Sequence, residues 1–337
     1  TYRDAFIKGE LLGLRSKTAV GLNTGDNARF LRSWNEVSIS RINFSATSFA
    51  NALESGQTWF PYAKGGATRK WYGNTDLVVN WTSDGKSIKD YAVVRNKGKH
   101  WSRYIQNLDF MFRGGLTWSF LSAYFGIRRL EPGSMFDVLG SSIFPEDDWL
   151  EVVGCFLCSK VAFEFLRAIN PTVAFQAGNI SALPLLKEEL RRSIPEIKAI
   201  YDEAYAIAKS DWDDFESAYG FTGLSWVTEQ LRLGTLFESW SVWRDHKKNA
   251  FLRLMDIELR NNEIFIEAYG VQQELTPEVP EDQITLYRAD REKDCQRLIS
   301  YAIGCMMGRY SLDESGLIYA HAGNVGFDPS RYTRFAA

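Results

Sequence analysis

The stretch from Trp59 to Trp81, WFPYAKGGATRKWYGNTDLVVNW, sets three cations, Lys64, Arg69 and Lys70, among the rings of Trp59, Tyr62, Trp71 and Tyr72. Cations of this kind neutralise phosphates, and rings stack on bases or pack beside sugars. The Gly65-Gly66 pair would let the backbone come close to a ligand, and the carboxamide of Asn74 matches the edge of an adenine. Composition leaves three readings open for this segment: a nucleic-acid surface, a carbohydrate surface, or a sheet whose rings are core and whose cations are solvated. On the first, Lys64, Arg69 and Lys70 are the candidates for phosphate contact or guanine readout, with Tyr72 and Asn74 beside them. Arg29 and Arg32 flank the turn of GLNTGDNARFLRSW at Gly21–Trp34 and are placed to grip a backbone or to pair with local carboxylates. Thr117, Ser119, Arg128 and Arg129 fall on expected strands that could reach a groove, and strand alternation lets only some of them face outward.

Other chemistries find no support in residue order. His100, His246 and His321 lie far apart, without a Ser, Cys or Asp partner that would suggest a triad. KGGATRKWYG at Lys64–Gly73 lacks the spacing of a phosphate-binding P-loop. GLNTGDNARF lacks the dinucleotide fingerprint and follows no clean strand. Asn170-Pro171-Thr172 has only the first two residues of an Asn-Pro-Pro-aromatic base-flipping motif and reads as a helix stop. Cys155 and Cys158 form a C-x-x-C inside an apolar helical pattern, with no second pair to complete a metal site. The pairs Asp147/Asp148 and Asp213/Asp214 read as helix-start chemistry. The expectation is therefore no catalytic residue, no metal and no cofactor site in this chain.

The 337 residues carry a net charge of −3, which by itself announces no polyanion partner. The distribution is uneven. Residues 64–113 hold ten Lys/Arg against four Asp, and residues 256–300 hold eleven acids against five bases, local balances of +6 and −6. The first could follow a phosphate backbone and the second would repel it. Four scattered cysteines suit a reducing cytoplasm. The longest apolar stretch, Val152–Ile169, contains Lys160, Glu164 and Arg167, so no membrane span is expected.

Around these residues the pattern predicts an α+β fold, a small twisted β-sheet domain followed by a mainly α-helical one. Residues 1–45 read as a junction of short strands and turns, with 46–185 as the sheet domain. Residues 186–310 form the helical domain and 311–337 a tail. Short strands are expected at Asp76–Trp81, Gly114–Phe120, Ile127–Arg129 and Met135–Val138, interrupted by one helix over Trp149–Ile169. Helices are expected over Lys187–Ser210, Ser225–Gly270 and Arg291–Gly308. Unbroken, Trp226–Tyr269 would reach roughly 65 Å, so a kink or hairpin is expected there.

The order of residues adds a resemblance. The Trp59–Trp81 segment, GLNTGDNARFLRSWNEV at 21–37, GGLTWSFLSAYFGIRRLEPGSMFDVLGSSIFP at 114–145, LCSKVAFEFLRAINPTVAFQAGNISALPLL at 157–186, ELRNNEIFIEAYGVQQELTPEV at 258–279 and ISYAIGCMMGRYSLDESGLIYA at 299–320 together resemble the adenine-specific DNA methyltransferases of bacteriophage-exclusion (BREX) defence systems. The resemblance implies that 21–37 is the junction with a methyltransferase domain, 46–185 a target-recognition domain that holds double-stranded DNA, and the remainder the family's helical part. It implies a parent enzyme whose S-adenosylmethionine and Asn-Pro-Pro-aromatic motifs lie upstream, outside this chain. It also implies other defence proteins as partners, for which the acidic helical part offers a surface. Rival readings are a protein-interaction scaffold and a carbohydrate-binding module.

Overall fold

The computed structural model describes residues 2–146, 148–228, 231, 233–321 and 326–332, so Asp147 of the carboxylate pair and parts of the expected tail lie outside the described residues. No described strand exceeds five residues: β1 Glu10–Leu11, β2 Ser16–Ala19, β3 Leu31–Ser33, β4 Trp59–Ala63, β5 Leu77–Asn80, β6 Gly115–Trp118, β7 Ile127–Leu130, β8 Met135–Phe136, β9 Ser142–Pro145 and β10 Pro184–Leu185. The short helices are α1 Tyr2–Lys8, α2 Leu12–Arg15, α3 Asn27–Phe30, α4 Phe49–Glu54, α8 Ala177–Ser181 and α9 Lys187–Leu190. The longer ones are α5 Thr82–Arg95, α6 Leu150–Leu157, α7 Lys160–Ile169, α10 Ile194–Asp213, α11 Leu236–Tyr269 and α12 Arg291–Met306. The fold is α+β.

Two four-stranded sheets and a small pair organise the strands. One sheet runs β2-β9-β6-β7, antiparallel throughout. The other runs β3-β5-β4-β8, with β4 and β8 parallel. β1 pairs with β10. All four residues of β6 are buried, which means both faces of that sheet are covered.

Several helices follow their punctuation. Thr235 and Glu238 form a reciprocal cap at the start of α11, and Gly270, with φ 63°, ends it. The 34 residues between them run as one helix of about 50 Å. The expected kink or hairpin is thus replaced by a later start, at Leu236. The Trp149–Ile169 pattern divides into α6 and α7, because Ser159 leaves the helical region and its Oγ accepts from the Ala162 amide. Pro195 opens α10 rather than interrupting a helix, since a first-turn proline gives up no hydrogen bond. Sequence periodicity does not reveal α5: Ser83, Asp84 and Gly85 near its start are left-handed, with φ 52°, 55° and 66°, and its buried helical residues, Ile88 and Ala92, make too narrow a stripe to stand out. The sequence pattern also reads α1 as strand and turn.

One apolar cluster joins Trp71, Leu116, Trp118 and Ile127 to Phe156 and Phe165 of α6 and α7, Ile197 and Ala204 of α10, and Ile257 and Phe265 of α11. The segments on either side of residue 185 therefore share a core. Each wholly buried ring such as Phe156 contributes about 2–3 kcal/mol by area burial. A second cluster gathers Phe30, Phe60, Trp81, Ile88, Ile105 and Phe136 around the other sheet. A third packs Trp34, Phe221, Trp226, Trp243, Tyr301 and Tyr310 together. Among the described residues no helix is long and apolar enough to cross a membrane.

Candidate functional site

The segment after β4 turns inward. Gly65 and Gly66 have φ 97° and 111°, and a Cβ on Gly65 would lie 2.6 Å from the Leu139 carbonyl oxygen. Gly65 thus lets the chain approach its own backbone, and a Cβ on the exposed Gly66 would lie 3.1 Å from Asn74 Nδ2. Asn74, in the left-handed region at φ 56°, donates through Nδ2 to the carbonyls of Gly65 and Ala67, both at 2.9 Å. Its carboxamide holds the loop closed and is unavailable to an adenine.

The cations beside it are neutralised from the helical part. Lys70 is 5% exposed, and its ammonium donates to Glu258 Oε2 at 2.5 Å. Trp71 Nε1 donates to the other oxygen of the same carboxylate at 2.9 Å. Burial pulls the Lys70 ammonium down, but the Glu258 carboxylate outweighs it and holds the group above the ordinary lysine value. Arg69 pairs with Asp211 at 3.3 Å, donates to the Thr285 carbonyl at 2.5 Å and lies 4.8 Å over the Trp212 ring. Tyr72 is buried with its ring edge-to-face on Tyr205. The expectation that Lys70, Tyr72 and Asn74 stand free to meet DNA is corrected on these grounds, since each is buried and engaged within the protein, while Arg69 is half-buried.

The strand candidates fare the same way. Thr117 Oγ1 donates to Gly140 and Ser141 carbonyls, and Ser119 is 5% exposed. Arg128 is 1% exposed; one Nη donates to Ser119 Oγ at 3.1 Å and Nε has no partner. Burial first, and then Arg69, push the Arg128 guanidinium down to about 10. Alternation does not expose Thr117 and Ser119 because the carbonyls of Gly140, Ser141 and Ala67 lie against them. Arg129 is half-buried beside Tyr201. Arg32 is half-buried, with one Nη donating to the Ala28 and Leu31 carbonyls at 2.6 Å. Lys64 is half-buried with no carboxylate within 4 Å among the described residues. Arg29 is exposed, 5.0 Å over Phe30 and 5.5 Å over Tyr91.

Of the ten cations in 64–113, Arg69, Lys70, Lys86 and Lys89 are paired with carboxylates. Arg95, Lys97, Lys99, Arg103 and Arg113 are exposed and have no ion pair among the described residues. These five add to the local charge of 64–113, but none of them is among the candidates picked from residue type and spacing. Their signal was the lack of any acid between Asp90 and Asp109.

An open cleft of about 1080 Å³ lies between the end of α10, α11 and residues 311–315. Its carboxylates are already engaged: Lys247 reaches Asp211 at 3.1 Å and Asp214 at 3.2 Å, and Trp243 Nε1 donates to Asp214 at 2.8 Å. Its acidic lining suits no phosphate. Neither glycine-rich stretch fits S-adenosylmethionine. A Cβ on Gly21 would lie 1.9 Å from the Phe136 carbonyl oxygen, and the turn after it opens only the one-turn α3. Among the described residues no group of three or more His, Cys, Asp or Glu could hold a metal ion.

No family model matches the chain. Curated relatives do. The adenine-specific methyltransferase PglX of Lacticaseibacillus casei (strain Zhang) is 36% identical over 321 residues, covering 94% of this chain and 26% of the relative. The adenine-specific methyltransferase BrxX of Escherichia coli O9:H4 (strain HS) is 31% identical over 343 residues, covering 96% of this chain and again 26% of the relative. The chain thus spans about a quarter of the length of the relatives it matches. By sequence the chain is similar to a stretch of about a quarter of the length of the PglX and BrxX adenine-specific methyltransferases.

Proposed function

We propose that this chain is the DNA-recognition part of a BREX-type adenine-specific DNA methyltransferase, working beside a catalytic domain that binds S-adenosylmethionine. In this reading it holds duplex DNA and reads a short asymmetric site while the catalytic domain methylates N6 of a flipped adenine. Methylation marks host DNA as self in the cytoplasm, and the same protein helps exclude unmarked phage DNA. The acidic helical part docks the catalytic domain or other defence proteins.

The observation that carries the reading is the match of 94% of the chain to an adenine-specific methyltransferase. The exposed, unpaired cations of the sheet-bearing part support it, since duplex DNA is the polyanion such an enzyme must hold. The carbohydrate reading loses its support, because no tryptophan is exposed as a sugar platform. The test is fluorescence anisotropy of the chain with a mixed-sequence duplex of about 30 base pairs, at about 50 and about 200 mM salt. Binding that weakens steeply with salt is expected. A folded chain that leaves the duplex free at the lower salt overturns the reading.

A further inference from the structure

Resting on that reading, we propose that the phosphate backbone of the duplex is gripped by the loop that follows α5, through Arg95, Lys97, Lys99 and Arg103, with Arg29 alongside. These five side chains are exposed and none has an ion pair among the described residues. Asp84 and Asp90, the nearest acids on α5, are taken by Lys89 and Lys86, both at 2.6 Å, and mark the edge of the patch.

The loop is held in one shape before any ligand arrives. α5 ends in a left-handed cap at Lys97 and Gly98, with φ 53° and 81°, where the Gly98 amide donates to the Val93 carbonyl at 2.9 Å. Asn96 Nδ2 donates to the His100 carbonyl at 2.9 Å, and His100 Nδ1 accepts from the Ser102 amide at 3.2 Å. Arg95 lies 4.6 Å over the Tyr104 ring, and His100 packs on Trp101 at 4.5 Å. A grip so organised loses little freedom when it closes on a phosphate.

The turn bearing Arg29 belongs to the same surface. The Asn23 amide donates to the Tyr104 carbonyl at 2.7 Å, and Gly25 packs so tightly on Arg95 that a Cβ would lie 2.0 Å from its Nη1. Arg29 itself sits over Tyr91 of α5. Helix-end electrostatics favour cations in the last turn of α5, which accounts for Arg95 and Lys97. That effect fades within a turn and gives no reason for Lys99, Arg103 or Arg29 to gather there. Contacts of this kind set the position of the duplex and leave base choice to other residues.

Five phosphate contacts give a salt slope of about −4.5, and removing three shallows it by roughly 3. Raising salt from about 50 to about 200 mM would then weaken the wild-type chain roughly 500-fold and the variant roughly tenfold. The experiment measures duplex binding across this salt range for the full chain, for Lys97→Ala/Lys99→Ala/Arg103→Ala, and for Arg192→Ala/Lys248→Ala/Lys293→Ala. The last removes the same charge from exposed positions of the helical part. Circular dichroism verifies that all three are folded. The expected result is a shallower slope and weaker binding for the loop variant only. Wild-type binding with the loop variant unchanged, or with both variants weakened alike, overturns the placement and leaves the DNA reading standing. No binding by the wild-type chain overturns both.

Discussion

Glu258 offers the sharpest test of why Lys70 faces inward. Its carboxylate is 2% exposed and serves two donors, Lys70 Nζ at 2.5 Å and Trp71 Nε1 at 2.9 Å. Glu258→Leu leaves a buried ammonium and a buried indole N–H without an acceptor. Stranding one partner of a buried ion pair costs about 3–5 kcal/mol, and an orphaned N–H about 1–3, and the two overlap because both groups share one site. A loss of about 4 kcal/mol is expected. With an unfolding entropy of roughly 0.7 kcal/mol/K for a chain of this size, Tm falls by about 6 °C. Replacing the whole pair, Lys70→Met/Glu258→Leu, removes the stranded charge and leaves only the Trp71 N–H unpaired, so the double variant loses about 1–3 kcal/mol, less than the single one. The sign with pH follows from the raised Lys70 value: the pair's contribution is complete below the ordinary lysine value of 10.5 and is lost as pH climbs through the higher folded one. Measurements near neutral pH therefore see the full effect. Urea unfolding followed by tryptophan fluorescence and by circular dichroism gives the numbers, with coincidence of the two probes testing cooperativity. A Glu258→Leu variant within about 1 kcal/mol of wild type, or a double variant worse than the single, would refute the pairing. So would a Lys70→Met variant of unchanged stability whose DNA binding loses a unit of salt slope.

The remaining predictions concern three other places. Asn74→Ala loses two hydrogen bonds to the glycine loop and puts a Cβ-bearing residue with no local hydrogen bond at φ 56°, so a loss of about 2–3 kcal/mol is expected in urea unfolding. Asn74→Gly should lose about 1 kcal/mol less, and equal losses would show that the backbone conformation carries no cost. Arg260 holds the Glu196 carboxyl below the ordinary glutamate range by hydrogen bonding, so this exposed pair contributes above that range and is lost as pH falls through the folded value. Glu196→Gln is expected to cost at most about 1 kcal/mol near pH 7 and nothing near pH 3, and a deficit that persists in acid would contradict the assignment. Cys295 is exposed, whereas burial pushes the thiols of Cys155, Cys158 (to about 12) and Cys305 up. Mass spectrometry after brief treatment with N-ethylmaleimide should find one adduct on the native chain and four in denaturant, and a second fast adduct would mean that a buried site opens.

Much of the architecture is written locally, because helix and strand signals depend on neighbours a few positions apart. Gly270 and Gly308 end α11 and α12 where their positive φ requires glycine, and the apolar runs at Leu77–Asn80 and Gly115–Trp118 are strands as their patterns predict. The resemblance to adenine-specific methyltransferases was legible too, since it rests on residue order along nearly the whole chain. Which cations are free was not. Arg69 finds Asp211 142 positions away and Thr285 216 away, and Lys70 finds Glu258 at a distance of 188. A basic segment and an acidic one that look like opposite surfaces in sequence are partly each other's counter-ions in the folded chain. The local charge of 64–113 was therefore fixed by the sequence, but only tertiary packing decided that Arg69 and Lys70 would be paired with carboxylates of the helical part and that Arg95, Lys97, Lys99 and Arg103 would face solvent. An ion pair between distant segments depends on how the chain brings them together, and residue spacing carries no record of that.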